Sequence, residues 1–251
     1  GSGSLKWVTT DDSENWETCG LFKNVNDAGT LCGSVKDLDH FIDFYGTNAP
    51  TNIAAIFENG KVVKLPYGDL DIQKIKQHED GTFAAALSND GKVVVGYCKC
   101  SNFAYSYPCK WTRGANNEWK LEQLPLPDTY KYGLAINVSS DGRTIVGLAM
   151  EGGRAIACYW IDGKCYTVNC KSEDDELAKM KQMRMIDMSP NGKYFIFSLS
   201  SRSDYRLFDV EKGTYRILPT FERNETMRVP TVADNGDVFG AVTYGSIAAG
   251  G

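Results

Sequence analysis

The chain contains two closely similar phrases of ten residues, and this repetition constrains its fold more than any other feature. The phrase is LSNDGKVVVG at 87–96 and VSSDGRTIVG at 138–147. Looser copies are VNDAGTLCG at 25–33, MSPNGKYFIFS at 188–198 and VADNGDVFGAV at 232–242. The turn glycines are 62, 51, 50 and 44 residues apart, at Gly29, Gly91, Gly142, Gly192 and Gly236. Such spacing is typical of a repeat protein, here with one long insertion.

A second pattern recurs between these phrases. It reads AAIFENGKVVKLP at 54–66, CKWTRGANNEWKLEQLP at 109–125, ACYWIDGKCYTV at 157–168 and YRLFDVEKGTYRILP at 205–219. Each copy has an aromatic-ended strand, a turn with Gly or Asn, and a second strand, which is the pattern of a β-hairpin. Asp-Gly and Asn-Gly supply the positive φ angles of tight turns, and the β-branched and aromatic flanks fit a pleated sheet. Each unit therefore predicts a four-stranded antiparallel sheet.

Such sheets have two faces to cover, and radial stacking covers both. We therefore expect an all-β fold, a β-propeller of about five four-stranded blades, complete or part of a larger propeller. One domain is expected over 5–246, after a linker or cloning scar at 1–4 and before a tail at 247–251. The predicted units are about 5–35, 52–98, 107–150, 154–200 and 204–246, with an insertion at 36–51. Residues 172–185 have the charge order and apolar spacing of a helix, and a long polar loop is the alternative.

Composition excludes several classes of partner. The chain has 251 residues and a net charge of −5, and its 27 basic residues are scattered among 32 acidic ones, so no nucleic-acid partner is predicted. No apolar run is long enough to span a membrane. The eight cysteines permit disulfides in an exported protein or stand as buried thiols. A disulfide from Cys98 or Cys100 to Cys109 is favoured over a zinc site, which lacks a fourth local ligand.

Residues for catalysis are not evident. The two histidines are His40 and His78, and neither belongs to a recognisable pair. Asp37, Asp39 and Asp43 flank His40, so a metal or general-acid role is conceivable, but a solvated loop histidine is favoured. No nucleophile elbow or phosphate-binding glycine loop is present. The sequence thus predicts no catalytic residue, metal or cofactor.

Aromatic residues in predicted loops are the candidate ligand-binding residues. They fall in the insertion, in SNFAYSYP after the second unit, and in PDTYKYG, and they are Phe44, Tyr45, Phe103, Tyr105, Tyr107, Tyr130 and Tyr132. Exposed aromatic rings bury a large area at little entropic cost, and both sugars and peptides bind to them. The alternative is that the rings pack between blades as core.

These phrases also resemble known propeller repeats. LSNDGKVVVGY and VSSDGRTIVGLAMEGGRAIACYW look like the HAF-type repeat of extracellular bacterial proteins. MSPNGKYFIFSLSSRSDYRLFDVEKGTYRILP is similar to the repeat of TolB-type propellers. The resemblance implies an exported bacterial protein with a binding role, at the periplasm or cell surface, and leaves a lipid anchor on a removed N-terminal segment open. Unit one is short, and five units are fewer than the six or more common in such propellers.

The functional prediction combines these observations. We expect an exported, non-catalytic binding or scaffolding module whose partner is a glycan or an envelope protein. One alternative is a glycosidase or lyase with paired carboxylates at the propeller channel. Another is a purely structural surface protein.

Overall fold

The computed structural model describes residues 21–44, 46–70, 80–100, 102–168, 182–199, 205–219 and 225–244, and they form eighteen β-strands. The strands are β1 Leu21–Val25, β2 Leu31–Phe44, β3 Thr47–Glu58, β4 Lys61–Lys64, β5 Gly81–Leu87, β6 Val93–Cys100, β7 Asn102–Arg113, β8 Trp119–Gln123, β9 Tyr132–Val138, β10 Thr144–Glu151, β11 Arg154–Ile161, β12 Lys164–Thr167, β13 Arg184–Met188, β14 Tyr194–Ser198, β15 Tyr205–Asp209, β16 Thr214–Ile217, β17 Glu225–Val232 and β18 Val238–Tyr244.

Consecutive strands pair antiparallel in groups of four. Strands β1–β4 form sheet 1, β5–β8 sheet 2, β9–β12 sheet 3 and β13–β16 sheet 4, while β17 and β18 form the described part of sheet 5. A single parallel pairing of Asn52 with Gly81 joins sheets 1 and 2. The first strand of each sheet contacts the first strand of the next, from β1 to β17. Meandering sheets that meet at their first strands form a β-propeller, so the predicted fold class is confirmed.

Neighbouring residues of one strand enter different cores. Val94 packs in the core between sheets 1 and 2, whereas Val95 packs between sheets 2 and 3. In the same way Phe195 packs between sheets 3 and 4, and Ile196 packs towards sheet 5. Because side chains alternate along a strand and both faces of the sheet are covered, these strands read as continuous apolar runs.

The repeated phrase forms the turn between the first and second strands of each sheet. In sheet 2, Gly91 has a φ of 67° and donates its N–H to the Ser88 carbonyl at 3.0 Å. The aspartate of the phrase contributes hydrogen bonds rather than a positive φ, because Asp90 Oδ1 accepts from Ser88 Oγ at 2.7 Å and from the Lys92 N–H at 3.0 Å. The predicted pair of positive φ angles occurs instead in hairpins between the third and fourth strands, for example at Asp162 (48°) and Gly163 (78°).

These turns also bond to one another across sheets. The Asn89 N–H donates to the Ser140 carbonyl at 2.9 Å, and the Ser140 N–H donates to the Pro190 carbonyl at 2.7 Å. The Asn191 N–H donates to Asp234 Oδ1 at 2.7 Å. The turn phrase therefore serves twice, because it reverses the chain and links each sheet to the next.

The last glycine of the phrase is required for a different, steric reason. Each first strand shifts register against the second, and a Cβ at Gly147 would lie 1.8 Å from the Leu134 carbonyl oxygen. A Cβ at Gly96 would lie 1.8 Å from the Phe83 carbonyl oxygen. Real Cβ atoms do not approach that closely, so only glycine fits at these bulges.

The tryptophans of the second pattern fix adjacent sheets to each other. Trp111 Nε1–H donates to the Pro66 carbonyl at 2.8 Å, and Trp160 Nε1–H donates to the Pro125 carbonyl at 2.6 Å. Both rings are buried, and each acceptor follows the last strand of the preceding sheet. The recurring Leu-Pro of the sequence thus supplies an acceptor for the next sheet.

The pairing differs from the predicted units by one hairpin. Each sheet begins with the hairpin of the repeated phrase and ends with the aromatic hairpin, whereas the predicted units used the opposite order. The insertion predicted at 36–51 is part of a long β2–β3 hairpin. Of the segment 172–185, residues 172–181 lie outside the described residues, and Arg184 and Met185 begin β13. The linker and the tail also lie outside them.

Candidate ligand-binding site

Three of the predicted aromatic residues meet at one end of sheets 2 and 3. We call this the hairpin end, because the connections between second and third strands lie there; the repeated phrases define the opposite turn end. The Tyr105 and Tyr132 rings are 5.1 Å apart, nearly perpendicular, and the Tyr107 and Tyr132 rings are 5.7 Å apart. Tyr105 is 48% exposed, so this tyrosine cluster presents aromatic surface to solvent.

Strand geometry explains the cluster. Tyr105 and Tyr107 lie in strand β7 and not in the predicted loop, because the β6–β7 hairpin extends through this segment. Residues two apart lie on the same face of a strand, so the two rings are neighbours. Tyr132 is the first residue of β9 and comes from the next sheet. Tyr107 also packs against the core between sheets 1 and 2, which anchors the cluster.

The other four predicted residues lie elsewhere in the chain, and of these the structure describes the side chain of Tyr130. Tyr130 follows a turn closed by its own N–H to the Pro127 carbonyl, and it packs against the core between sheets 2 and 3. Phe44 ends β2, and Phe103 lies in β7, also not in a loop. Tyr45 lies outside the described residues.

A polar cluster on the β2–β3 hairpin was not predicted as a unit. Asp37 is 2% exposed, and its Oδ2 accepts from His40 Nδ1 at 2.7 Å and from the Tyr67 hydroxyl at 2.9 Å. Its Oδ1 accepts from Lys64 Nζ at 3.2 Å. The register shifts between Asp37 and Phe41, so His40 lies in a bulge and is 46% exposed. His40 is therefore an oriented histidine on a strand bulge, not the solvated loop histidine that the sequence favoured.

The electrostatics of this cluster favour the ionised carboxylate. Burial raises the pKa of Asp37, but hydrogen bonds from Tyr67, His40 and Lys64 outweigh it, and the pKa lies below its usual range. Burial lowers the pKa of Lys64, whereas its bonds to Asp37 and Asp39 raise it above its usual value. Burial raises the pKa of Tyr67 and keeps its hydroxyl protonated, so that it donates to Asp37.

The six cysteines that the structure describes are free thiols, contrary to the predicted disulfide. Cys98 pairs in register with Tyr107, and Cys109 with Gly96, so the two cysteines are diagonal neighbours. Diagonal Cβ atoms lie about 7 Å apart, beyond the span of a disulfide. The Cys98 and Cys100 Sγ atoms are 3.8 Å apart and form a thiol–thiol hydrogen bond, not a disulfide. Burial raises the pKa of Cys109 to about 12, which makes it unreactive.

A recess of about 390 Å³ lies at the turn end, where the first strands of sheets 1 to 4 converge; we call it the axial recess. Asp27 is the one carboxylate among its described lining residues. Asp27 Oδ2 accepts from Asn89 Nδ2 at 2.9 Å, and the Asp27 N–H donates to Asn89 Oδ1 at 3.0 Å. Hydrolysis by paired carboxylates needs a second acid at about 5 to 9 Å, which this lining does not supply.

Within the ranges that the structure describes, no three histidine, cysteine or acidic side chains converge as metal ligands. Likewise, the described part of the chain contains no helix with the length and hydropathy required to cross a membrane.

Several solved structures are similar to this chain. TolB from Acinetobacter baumannii matches with a TM-score of 0.49 and 14% identity, over 88% of this chain and 48% of that one. A TolB described as putative, from Agrobacterium tumefaciens, matches with a TM-score of 0.42 and 13% identity, over 72% and 57% of the two chains. An oligogalacturonate lyase in complex with manganese matches with a TM-score of 0.49 and 11% identity, over 91% and 67%.

These likenesses concern the fold alone, and the propeller assignment rests on the sheet order described above. The chain spans about half the length of the two TolB structures. TolB-type propellers are among these proteins, as the resemblance of units four and five implied, whereas none of the three is described as an HAF-type repeat protein. No protein-family model matches the sequence, and no curated protein is significantly similar to it.

Proposed function

We propose that this propeller is a non-catalytic binding or scaffolding module that contacts its ligand through the tyrosine cluster. The observation that carries the proposal is the half-exposed ring of Tyr105, held at 5.1 Å from Tyr132. An aromatic surface held in place by its neighbours binds with little loss of side-chain entropy. The ligand is a glycan or an envelope protein, because both present apolar faces that stack on tyrosine.

The proposed location is extracytoplasmic. It rests on the resemblance of MSPNGKYFIFSLSSRSDYRLFDVEKGTYRILP to TolB-type repeats. An exported setting is consistent with a non-catalytic role at the cell envelope. Envelope extracts are therefore the natural source of binding partners.

The binding experiment uses two single variants of exposed tyrosines. Wild type, Tyr105→Ala and Tyr166→Ala are tested on a broad glycan array and in a pull-down from envelope extracts. Tyr166 lies on the outer strand β12, stacked on Tyr159 at 5.3 Å, and serves as a matched control outside the cluster. We expect Tyr105→Ala to weaken binding at least about tenfold, a loss of about 1.4 kcal/mol, and Tyr166→Ala to bind like wild type.

The melting temperature separates binding from folding. Tyr105→Ala is expected to melt near the wild-type temperature, because half of the ring is exposed. Equal binding by wild type and Tyr105→Ala would contradict the proposal, and so would unfolding of that variant. A hit that the protein also degrades would favour the alternative of a glycosidase or lyase, and products are therefore measured on every glycan hit.

A further inference from the structure

The axial recess lies at the end of the propeller opposite the tyrosine cluster, and one of the four residues that end the first strands around it is uncovered. The first strands of sheets 1 to 4 end at Val25, Leu87, Val138 and Met188, and all four line the recess. Leu87, Val138 and Met188 are buried, but Val25 is 57% exposed. A valine at a position that is core in the other three sheets leaves an apolar surface for a ligand side chain.

Two asparagines stand beside this surface at equivalent positions. Asn24 pairs with Cys32 and Asn137 with Val146, each one residue before the end of its first strand. Asn137 Oδ1 accepts from the Val138 N–H at 2.9 Å, and its Nδ2 donates to nothing in the described part of the chain. The Asn24 side chain makes no hydrogen bond there either. Both amides can therefore donate to a ligand, and Asn24 can also accept.

Sheet 4 shows what a polar side chain does at this position. Its counterpart is Asp187, whose Oδ2 accepts from the Val232 N–H at 3.0 Å and from the Thr231 hydroxyl at 2.5 Å. Asp187 thus holds the main chain of the adjacent strand β17. Asn24 and Asn137 have the same placement beside the first strands β5 and β13, but neither carboxamide bonds to those strands in the described structure.

The charge of the recess narrows the ligand class. No lysine, arginine or glutamate is among its lining residues, and Asp27 is already bonded to Asn89. An anionic ligand would find no positive charge there, and the one carboxylate is engaged by Asn89, whereas a neutral amide would find donors and an acceptor. The recess is also preformed, because the turn bonds through Asn89 and Ser140 fix its rim.

We propose that the axial recess binds an uncharged peptide segment with an aliphatic side chain. The side chain covers Val25, and the main-chain amides bond to the carboxamides of Asn24 and Asn137. The propeller would then bind two ligands, one at each end. This inference is independent of the tyrosine cluster.

The test uses N-acetyl-leucinamide as the probe and methyl NMR of isotope-labelled protein as the readout. We expect the methyl resonances of Val25, Val138 and Met188 to shift, with a dissociation constant of about 1 mM, as suits so small a ligand. Methyl glucoside, a neutral ligand without an amide, should leave these resonances unchanged.

Three variants make the result decisive. The double variant Asn24→Ala/Asn137→Ala should weaken probe binding at least about tenfold. Val25→Ser is the second variant, used if the double variant fails to fold, and should weaken it by about the same factor. Tyr105→Ala should bind the probe like wild type, which separates this site from the proposed function. The inference is overturned if no methyl shifts at about 50 mM probe, if methyl glucoside gives the same shifts, or if these recess variants bind unchanged.

Discussion

Sheets 2 and 3 differ from sheet 4 at three equivalent positions, although all three sheets have the same strand order. Sheets 2 and 3 have a glycine opposite the bulge, a buried tryptophan and an aspartate in the turn. Sheet 4 carries Phe197, Phe208 and Asn191 at those positions. The comparison separates what the architecture requires from what one sheet happens to use.

The turn position is satisfied by either residue. Asn191 Oδ1 accepts from Ser189 Oγ at 2.8 Å and from the Lys193 N–H at 2.9 Å, as Asp141 Oδ1 does from Ser139 Oγ at 2.6 Å and the Arg143 N–H at 3.0 Å. The architecture therefore needs a side-chain oxygen there and not a charge.

The aromatic position is filled in two different ways. Trp160 bonds to the preceding sheet through its ring N–H, whereas Phe208 stacks on Phe195 at 4.7 Å and lies 5.4 Å from Tyr159 of sheet 3. One sheet interface is therefore fixed by a hydrogen bond and the other by ring packing.

The largest loss of stability is expected for Gly147→Ala. Sheet 4 has a side chain at this position, but in sheet 3 a Cβ would meet the Leu134 carbonyl oxygen at 1.8 Å. We expect a loss of at least about 3 kcal/mol in the free energy of unfolding, measured in urea. Gly114→Ala is the control, because its Cβ would lie an ordinary 3.5 Å from the Glu118 carbonyl oxygen. A Gly147→Ala protein as stable as the control would show that the strands separate at little cost.

Trp160→Phe gives sheet 3 the residue type of sheet 4 at the second position. The exchange leaves the Pro125 carbonyl without its 2.6 Å donor and leaves space beside a buried ring. We expect a loss of about 2 kcal/mol in the free energy of unfolding.

The matched exchange is Trp119→Phe. Trp119 Nε1 is buried with no hydrogen-bond partner within the described ranges, so removing it breaks no bond. We expect Trp119→Phe to lower the free energy of unfolding by less than about 1 kcal/mol. Equal losses for the two variants would mean that packing, and not the bond between sheets, sets the effect of Trp160.

The double variant Asp90→Asn/Asp141→Asn gives sheets 2 and 3 the amide of sheet 4, and it should change stability least at neutral pH. The turn bonds remain, so we expect the free energy of unfolding to fall by less than about 1 kcal/mol at pH 7. Partial burial raises the pKa of Asp90 and Asp141, but the bonds from Ser88 and Ser139, with those from the following N–H groups, bring it below its usual range.

We expect the stability of the wild type and of the variant to differ at acid pH. A carboxyl group with a lowered pKa in the folded state stabilises fully above its unfolded pKa of about 3.9, and the stabilisation disappears as the pH falls through the folded pKa. Melting temperatures between pH 7 and pH 2.5 should therefore fall more steeply below about pH 4 for the wild type than for the variant. Parallel curves of melting temperature against pH would show that the charges of these two carboxylates do not contribute to stability.

The sequence predicted the sheets well because turns and strands are local. Asp-Gly and Asn-Gly mark reversals wherever they stand between apolar runs, as at Asp162 and Gly163. It misassigned the unit boundaries because a hairpin read alone does not reveal which neighbour it joins. The position of Tyr105 in β7 was missed for a similar reason, since the pairing that extends the hairpin involves residues of β6.

The polar cluster and the axial recess could not be predicted, because they join distant segments. Asp37 and His40 are close in sequence, but Lys64 and Tyr67 reach them only after the β3 strand has returned the chain. The recess combines Asn24 and Asn137, which come from sheets 1 and 3. No local pattern marks such residues as neighbours.

Native-state amide hydrogen exchange tests the central claim most directly, namely that the repeated turns link consecutive sheets while the hairpin end is free to bind. The amides of Asn89 and Ser140, which bond to the next sheet, should exchange only when the protein unfolds globally. Those of Gly152 and Gly153, at the exposed tip of the β10–β11 hairpin, should exchange orders of magnitude faster. Equally fast exchange at Ser140 and Gly152 would contradict the account. The turns would then open while the sheets stay folded, and they would not link one sheet to the next.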